Sequence, residues 1–530
     1  MNILKKFLIF SILIYSHSNF AQFTNYRLFP SNYSQIEPTI SRHPLNSQII
    51  FASAYTILLN SRSEGVYVST NGGLNWTGTD ICSGIPVQNH GGDPGTIIDK
   101  NGTFILTHLG NIQTGMFANY SNNNGATWSN TVTIQQDDVD KGSPGTDDAP
   151  ASPFYGRTYL AWTYFVPPVR IVLSYTSNSG VSWSPIINVN NGLGGNRSYG
   201  PAICVNPAGT TFVTWASAVP TSPFTEDYIG VAKSTDGGVS WNAVENAIDI
   251  NGIRTTQLPP WTIRANSFPV IDIDKTGGSR NGWVYIATTS KNLAPAGTDP
   301  DIVFFTSSND GNSWSSGVRV NQDAMNNGRN QFFPSLRVDE NGGINIIYYD
   351  NRNSVDSVDV YLSRSTDGGT TFTDYRITSS RFKPVPVSGA IGGGNMGDNL
   401  GITSGNGKLY PVWMANYTGT FQVWSAIVDY TTIGITQTGT EVPNNYSLEQ
   451  NYPNPFNPAT TIKFSIVKAG NASMQIYDMT GKIVTELFEQ NVQPGSYSVQ
   501  WDASNYPSGV YFYTLKTGGF TESKKMILVK

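Results

Sequence analysis

Ser69-Thr70-Asn71-Gly72-Gly73-Leu74-Asn75-Trp76 is the first of six copies of one short pattern. A hydroxyl residue, a spacer, Asn or Asp, a spacer, Gly, two residues and an aromatic recur at Ser121 to Trp128, Thr176 to Trp183, Ser234 to Trp241, Ser307 to Trp314 and Ser365 to Phe372. The recurring positions are Asn71, Gly73 and Trp76; Asn123, Gly125 and Trp128; Asn178, Gly180 and Trp183; Asp236, Gly238 and Trp241; Asn309, Gly311 and Trp314; and Asp367, Gly369 and Phe372. Successive glycines lie 52 to 73 residues apart. A period of that size means one supersecondary unit per repeat, stacked on its neighbours to bury a shared core. The chemistry suits a tight turn. Asn or Asp bonds its own backbone, Gly supplies a positive φ, and the aromatic pins the turn.

The pattern resembles the Asp-box, or BNR, repeat of sialidase-like β-propellers. That resemblance implies an all-β ring of four-stranded blades. Apolar runs between the repeats fit this, most plainly in Phe333–Val338, Ile344–Tyr349, Val358–Ser363 and 371–378, which place the repeat between third and fourth strands. Inner strands are expected near Glu37, Gly95, Gly145, Gly200, Phe268, Phe333 and Asn399. The last unit, Leu400 to Val428, has three strands and no repeat, so Asn25 to Pro30 is expected to supply its outer strand and close the ring. The expectation is a seven-bladed propeller, with six blades as the alternative.

With 530 residues, more than one folded unit is expected. The 53 glycines, 12% aromatic and 13% charged residues describe a β-rich extracellular protein. The formal charge of −5 excludes a nucleic-acid partner of the usual basic kind. Residues 1–21 read as a secretory signal, with Lys5 and Lys6 before the short apolar run Phe7 to Tyr15 and small Ala21 at the end. No stretch is long enough for a membrane span. Cys82 and Cys204 fall in different repeats and read as buried and unpaired. Four His and two Cys do not make a zinc site, so no metal and no cofactor are expected.

Residues 22–430 are thus read as the propeller, 431–445 as a linker and 446–530 as a separate small β-sandwich. The last unit resembles the type A C-terminal sorting domain of the type IX secretion system. The resemblance is carried by Pro453-Asn-Pro455, Tyr477-Asp-Met-Thr-Gly481-Lys, Pro507-Ser-Gly-Val-Tyr-Phe-Tyr513 and Lys524-Lys-Met-Ile-Leu-Val-Lys530. It implies an Ig-like fold, passage across the outer membrane with the secretion machinery as partner, and an extracellular or surface location. A plain structural module of the same lettering is the alternative.

Substrate pockets in propellers lie on the face opposite the repeated turns, around the axis. Polar residues just before the inner strands should ring that mouth: Glu37, His90, Asp93, Asp140, Lys141, Arg197, Tyr199, Arg264, Asn266, Arg329, Gln331 and Asp398. Loops after the second strands add Glu226, Asp227, Asp301, Asp350, Arg352 and Asp356. The sialidase resemblance implies an arginine cluster for a carboxylate, with Arg197, Arg264 and Arg329 as candidates. It also implies a tyrosine beside a carboxylate, for which Tyr199, Tyr349 and Asp350 are candidates. Two functions follow. One is a surface glycan-binding or structural propeller; the other is a glycoside hydrolase of sialidase type acting on extracellular glycans. Arginines duplicated by the repeat and paired internally would favour the first.

Overall fold

Seven antiparallel sheets follow one another along the chain in a computed structural model. It describes residues 23–530 except residues 59–60, 83–89, 193–194, 256, 391–392, 431–434, 440 and 504–505. The signal read over residues 1–21 lies outside the described residues. The inner strands are Ser34–His43, Gly95–Ile98, Val139–Thr146, Arg197–Val205, Val270–Ile273, Gln331–Val338 and Gly401–Gly405. Each lies against the next, and Gly401–Gly405 lies against Ser34–His43, so the ring has seven blades. No α-helix occurs among the described residues, and no helix is long and apolar enough to cross a membrane.

The ring closes as the sequence suggests. Tyr26–Arg27 pairs antiparallel with Gln422–Ser425, Tyr26 opposite Ser425 and Arg27 opposite Trp424. The final blade thus combines both ends of the propeller, which removes a free sheet edge.

The six repeated turns share one hydrogen-bond plan. The hydroxyl of Ser69 bonds Asn71 Oδ1 at 3.0 Å and accepts from Gly73 N at 2.9 Å. Ser121, Thr176, Ser234, Ser307 and Ser365 accept from their own repeat glycines at 2.8 to 3.1 Å. The glycines have φ between 74° and 88°, where other residues are strained. They also touch the preceding blade. A Cβ on Gly73 would meet Tyr410 at 3.0 Å, on Gly125 Val68 at 3.0 Å, on Gly238 Tyr159 at 3.0 Å and on Gly369 Phe304 at 2.1 Å. The aromatics follow: Trp128 lies 5.5 Å from Phe51, and Phe372 lies 5.3 Å from Phe304. The repeat therefore docks each of the six blades that carry it on the one before it. Cys82 and Cys204 are both buried.

The C-terminal unit has two four-stranded sheets. One runs Ile435–Gly439, Gly495–Asp502, Ala459–Ile466, Ser447–Leu448; the other runs Ile483–Val492, Gly470–Tyr477, Gly509–Thr517, Phe520–Leu528. Ile462, Phe464, Met474, Ile476, Trp501 and Leu515 belong to one core between them. Ile435–Gly439 lies in the stretch read as linker; its Thr and Gly composition hides an edge strand that pairs with Val499, Ser498, Tyr497 and Ser496.

Candidate functional site

The repeated turns define the bottom of the propeller, and the site builds at the top, where the inner strands begin. Glu37, Asp93, Lys141, Gly200 and Phe333 occupy that position with φ of 56°, 47°, 51°, 58° and 55°. The ladder shifts register there in four inner strands, between Ile36 and Thr39, Asp140 and Ser143, Tyr199 and Ala202, and Phe332 and Ser335. A proline follows Glu37, Asp93, Gly200 and Phe333. It cannot donate to the ladder, so a bulge forms and the residue before it is turned out of the strand. Four non-glycine residues held at positive φ mark a strained ring, the kind of backbone found at functional sites.

Those bulges bring charges together around the axis. Lys141 Nζ lies 2.9 Å from Asp398 Oδ1 and also bonds Asn399 Oδ1. Asn266 Nδ2 donates to Asp398 Oδ2 at 3.0 Å. Glu37 Oε2 accepts from Asp93 N at 3.1 Å, and Asp93 Oδ2 accepts from Lys141 N at 3.3 Å. Arg264 N donates to Gly394 O at 2.9 Å, tying the inter-blade segment before Asp398 to the one before Val270. The Lys141 and Asp398 side chains are 15% and 7% exposed, so this ion pair is largely removed from water.

The carboxyls are held in opposite states. Burial, and then the neighbouring Asp93 and Asp398, push Glu37 up to about 8. Burial with the same two neighbours pushes Asp140 up to about 8. Burial raises Asp93 as well. Asp398 goes the other way: against the cost of burial, Lys141 and Arg264 hold it below the usual carboxylate range. Burial thus favours the protonated form of Glu37 and Asp140 beside an Asp398 that Lys141 and Arg264 hold towards the ionised form, an arrangement suited to acid–base work.

Below the cluster runs an axial channel of about 350 Å³, lined by residues of all seven inner strands. Ion pairs stand along its lining: Arg42 to Glu340 at 3.3 Å, Lys275 to Asp148 at 2.6 Å and Arg337 to Asp272 at 3.7 Å.

Among the described residues, two groups bring possible metal ligands within 4.8 Å of one another. In the first, Glu37, Asp93 and Asp398, the ammonium of Lys141 already pairs with Asp398. Glu64, His90 and His108 are fully buried. Both nitrogens of His108 face oxygens, Leu109 O at 2.8 Å and Asn119 Oδ1 at 3.0 Å. His90 Nδ1 accepts from Glu64 N at 3.4 Å, which puts the ring proton on Nε2. Ligand histidines donate through the nitrogen that does not bind the metal, so these rings are not arranged to take one.

Of the residues expected at the mouth, Glu37, Asp93, Asp140, Lys141, Arg264, Asn266 and Asp398 come together. His90 joins Glu64 and His108 instead. Arg197 stacks over Phe224 and Tyr199, with 4.4 and 5.4 Å to the ring centroids. Arg329 donates to Ser354 O at 3.2 Å. Tyr349 is fully buried and donates to Met414 O at 2.8 Å. Asp350 pairs with Arg352 at 2.6 Å, and Asp301 with Arg319 at 2.7 Å. Gln331 bonds Asn321 at 3.0 Å in that same network, and Asp356 faces Lys383 at the surface. Glu226 ties down the segment before Val270, accepting from Arg254 N and Ser267 N. Asn399, Phe224 and Arg254 were missed by the sequence reading. The recurrent proline after the bulge was the available signal for the strained ring.

This geometry defines a seven-bladed β-propeller followed by a two-sheet unit. Residues 450–530 match the secretion system C-terminal sorting domain, and the protein is exported to the cell surface or extracellular space. Several solved structures are similar over most of the chain. An ulvan lyase of polysaccharide lyase family PL25, bound to -[GlcA(1-4)Rha3S]-, superposes with a TM-score of 0.50 at 11% identity, covering 77% of this chain and 96% of that one. A Hadza microbial sialidase gives 0.40 at 11% identity, over 74% and 75% of the two chains. A Penicillium chrysogenum alpha-L-arabinanase complexed with arabinobiose gives 0.41 at 12%, over 67% and 98%. No curated protein matches the sequence.

Proposed function

We propose that this is an exported glycan-binding propeller whose top face, around the axis, takes the sugar. The observation that carries the reading is the strained ring at the mouth. Equivalent positive-φ positions in five of the seven blades bear different side chains, Glu37, Asp93, Lys141, Gly200 and Phe333, although the bottom turns repeat. The ulvan lyase shares the fold and was solved with a saccharide, which fits the same use of the scaffold. In this reading the repeated turns are Asp-boxes, residues 1–21 are a removed signal, and the Ig-like C-terminal unit engages type IX secretion machinery. A glycan microarray probed with the full exported chain tests it. Binding that Asp398→Asn weakens supports the reading, and an array with no bound glycan contradicts it.

Glycoside hydrolysis is the second reading, favoured by the split protonation of the carboxyls. Glu37 or Asp140 would serve as general acid and Asp398 as the ionised partner. Sialic-acid hydrolysis asks more, because Arg264 already faces Asp398, Glu37, Asp93 and Asp140. Hydrolysis of a fluorogenic sialic-acid substrate, abolished in Arg264→Ala, would establish that version. For other glycans, release of reducing ends that disappears in Asp398→Asn and Glu37→Gln is the expected sign of catalysis.

A further inference from the structure

Beside the mouth, Arg197 and Arg254 differ from the arginines of the charge networks. Among the described residues neither guanidinium makes an ion pair or a hydrogen bond. Both instead lie over one ring: Arg254 is 4.4 Å and Arg197 5.4 Å from the centroid of Tyr199. Arg197 also covers Phe224 at 4.4 Å. Glu226, on which the Arg254 charge acts, is fully buried and spends its two oxygens on Arg254 N and Ser267 N, at 3.0 and 3.2 Å. Tyr199 is 4% exposed, and its ring packs with Phe165 at 6.1 Å.

All of these residues belong to the top face. Arg197 and Tyr199 begin the fourth inner strand, Phe224 follows that blade's second strand, and Arg254 lies in the segment leading to the next blade. The aromatic surface runs on to Phe268, whose ring fits against Gly200 where a Cβ would lie 2.3 Å away, and which approaches Lys141 at the axis. Two pre-stacked guanidinium forks that make no ion pair or hydrogen bond, beside aromatic rings, offer donors to an oxyanion. Planar forks bind carboxylate or sulfate bidentately, and stacking fixes their orientation beforehand.

We propose that Arg197 and Arg254 form an anion subsite, so that the glycan bound at the top face is an acidic polysaccharide bearing carboxylate or sulfate groups. This rests on the glycan-binding reading above. A net charge of −5 works against unspecific capture of polyanions, so such binding needs a local patch.

The test is affinity electrophoresis and calorimetry of the full exported chain with polygalacturonate, dextran sulfate and neutral dextran. The set is repeated with Arg197→Gln/Arg254→Gln, with Arg197→Lys/Arg254→Lys and with Arg329→Gln. Salt-sensitive binding of either acidic polymer, weakened at least tenfold in the Gln pair, partly kept in the Lys pair and unchanged in Arg329→Gln, is the expected result. Thermal melting of each variant separates lost binding from lost fold. Binding of neutral dextran or an array glycan but of neither acidic polymer would overturn this proposal and leave glycan binding standing. Equal acidic binding by the wild type and a folded Gln pair would also overturn it. No binding of any glycan would overturn both.

Discussion

The bottom and the top of this propeller are built from the same seven blades by opposite rules. At the bottom, six turns repeat one hydroxyl, one Asn or Asp, one glycine and one aromatic, and the hydroxyl accepts from the glycine amide in every one. At the top, five equivalent positive-φ positions carry an acid, an acid, a lysine, a glycine and a phenylalanine. Repetition serves the contact every blade must make with its neighbour. Its loss marks the place where blades meet a shared centre and need not be alike. The comparison separates residues that hold the ring from residues free to recognise something.

The largest effect should come from the top. Lys141→Met would leave the Asp398 carboxylate buried without its ammonium, and the expected loss is about 3–5 kcal/mol in urea unfolding of the propeller. Adding Asp398→Asn should restore much of it. If the double variant is no more stable than the single one, the pair is not the organising contact of the mouth.

The bottom should respond according to how closely each glycine meets the preceding blade. Gly369→Ala combines φ of 88° with a Cβ 2.1 Å from Phe304, whereas Gly180→Ala, at φ of 86°, meets Ile105 only at 3.5 Å. The first should cost about 3 kcal/mol and the second about 1 kcal/mol. Equal losses would mean that backbone strain alone, not blade docking, keeps the repeat glycine.

A smaller effect distinguishes the two faces by pH. Glu37, Asp140 and Glu226 are all pushed up by burial, to about 8, 8 and 7. A carboxyl raised in the folded state binds more protons there than when unfolded, so its stabilisation is full below the ordinary carboxylate range. It is lost as pH rises through about 7 to 8. Asp236, in a bottom turn, has the opposite sign. Against slight desolvation, hydrogen bonds from Ser240, Ser234 and Val239 hold it down to about 2. Glu37→Gln/Asp140→Asn should flatten the decline in melting temperature between pH 5 and 9, and Asp236→Asn should leave that decline in place. An unchanged slope in the first variant would contradict the protonated assignment.

The fold was legible because its determinants repeat. Six copies at a near-constant period fixed the blade, and the three-stranded last unit pointed to Tyr26–Arg27 as its missing edge. In the C-terminal unit Ile483–Val492 escaped notice. Its register against Gly470–Tyr477 slips between Met474 and Gln475 and again between Ile476 and Tyr477, so a plain alternation is absent. The mouth was legible in part. Position before an inner strand brought Glu37, Asp93, Lys141 and Asp398 into view, since topology alone sends those residues to the axis. The same rule grouped Arg197, Arg264 and Arg329, but side-chain direction and local partners decide what each arginine faces. Arg254 lies in an inter-blade segment with no counterpart in the repeat, where no period could point to it.

Hydrogen–deuterium exchange of the full exported chain, with and without a polysaccharide that it binds, tests most directly whether the top face is the recognising one. The account expects protection at the starts of the inner strands, around Arg197–Tyr199 and in the segments carrying Phe224 and Arg254, with the six repeated turns unchanged. Protection confined to those turns, or spread evenly over both faces, would contradict it.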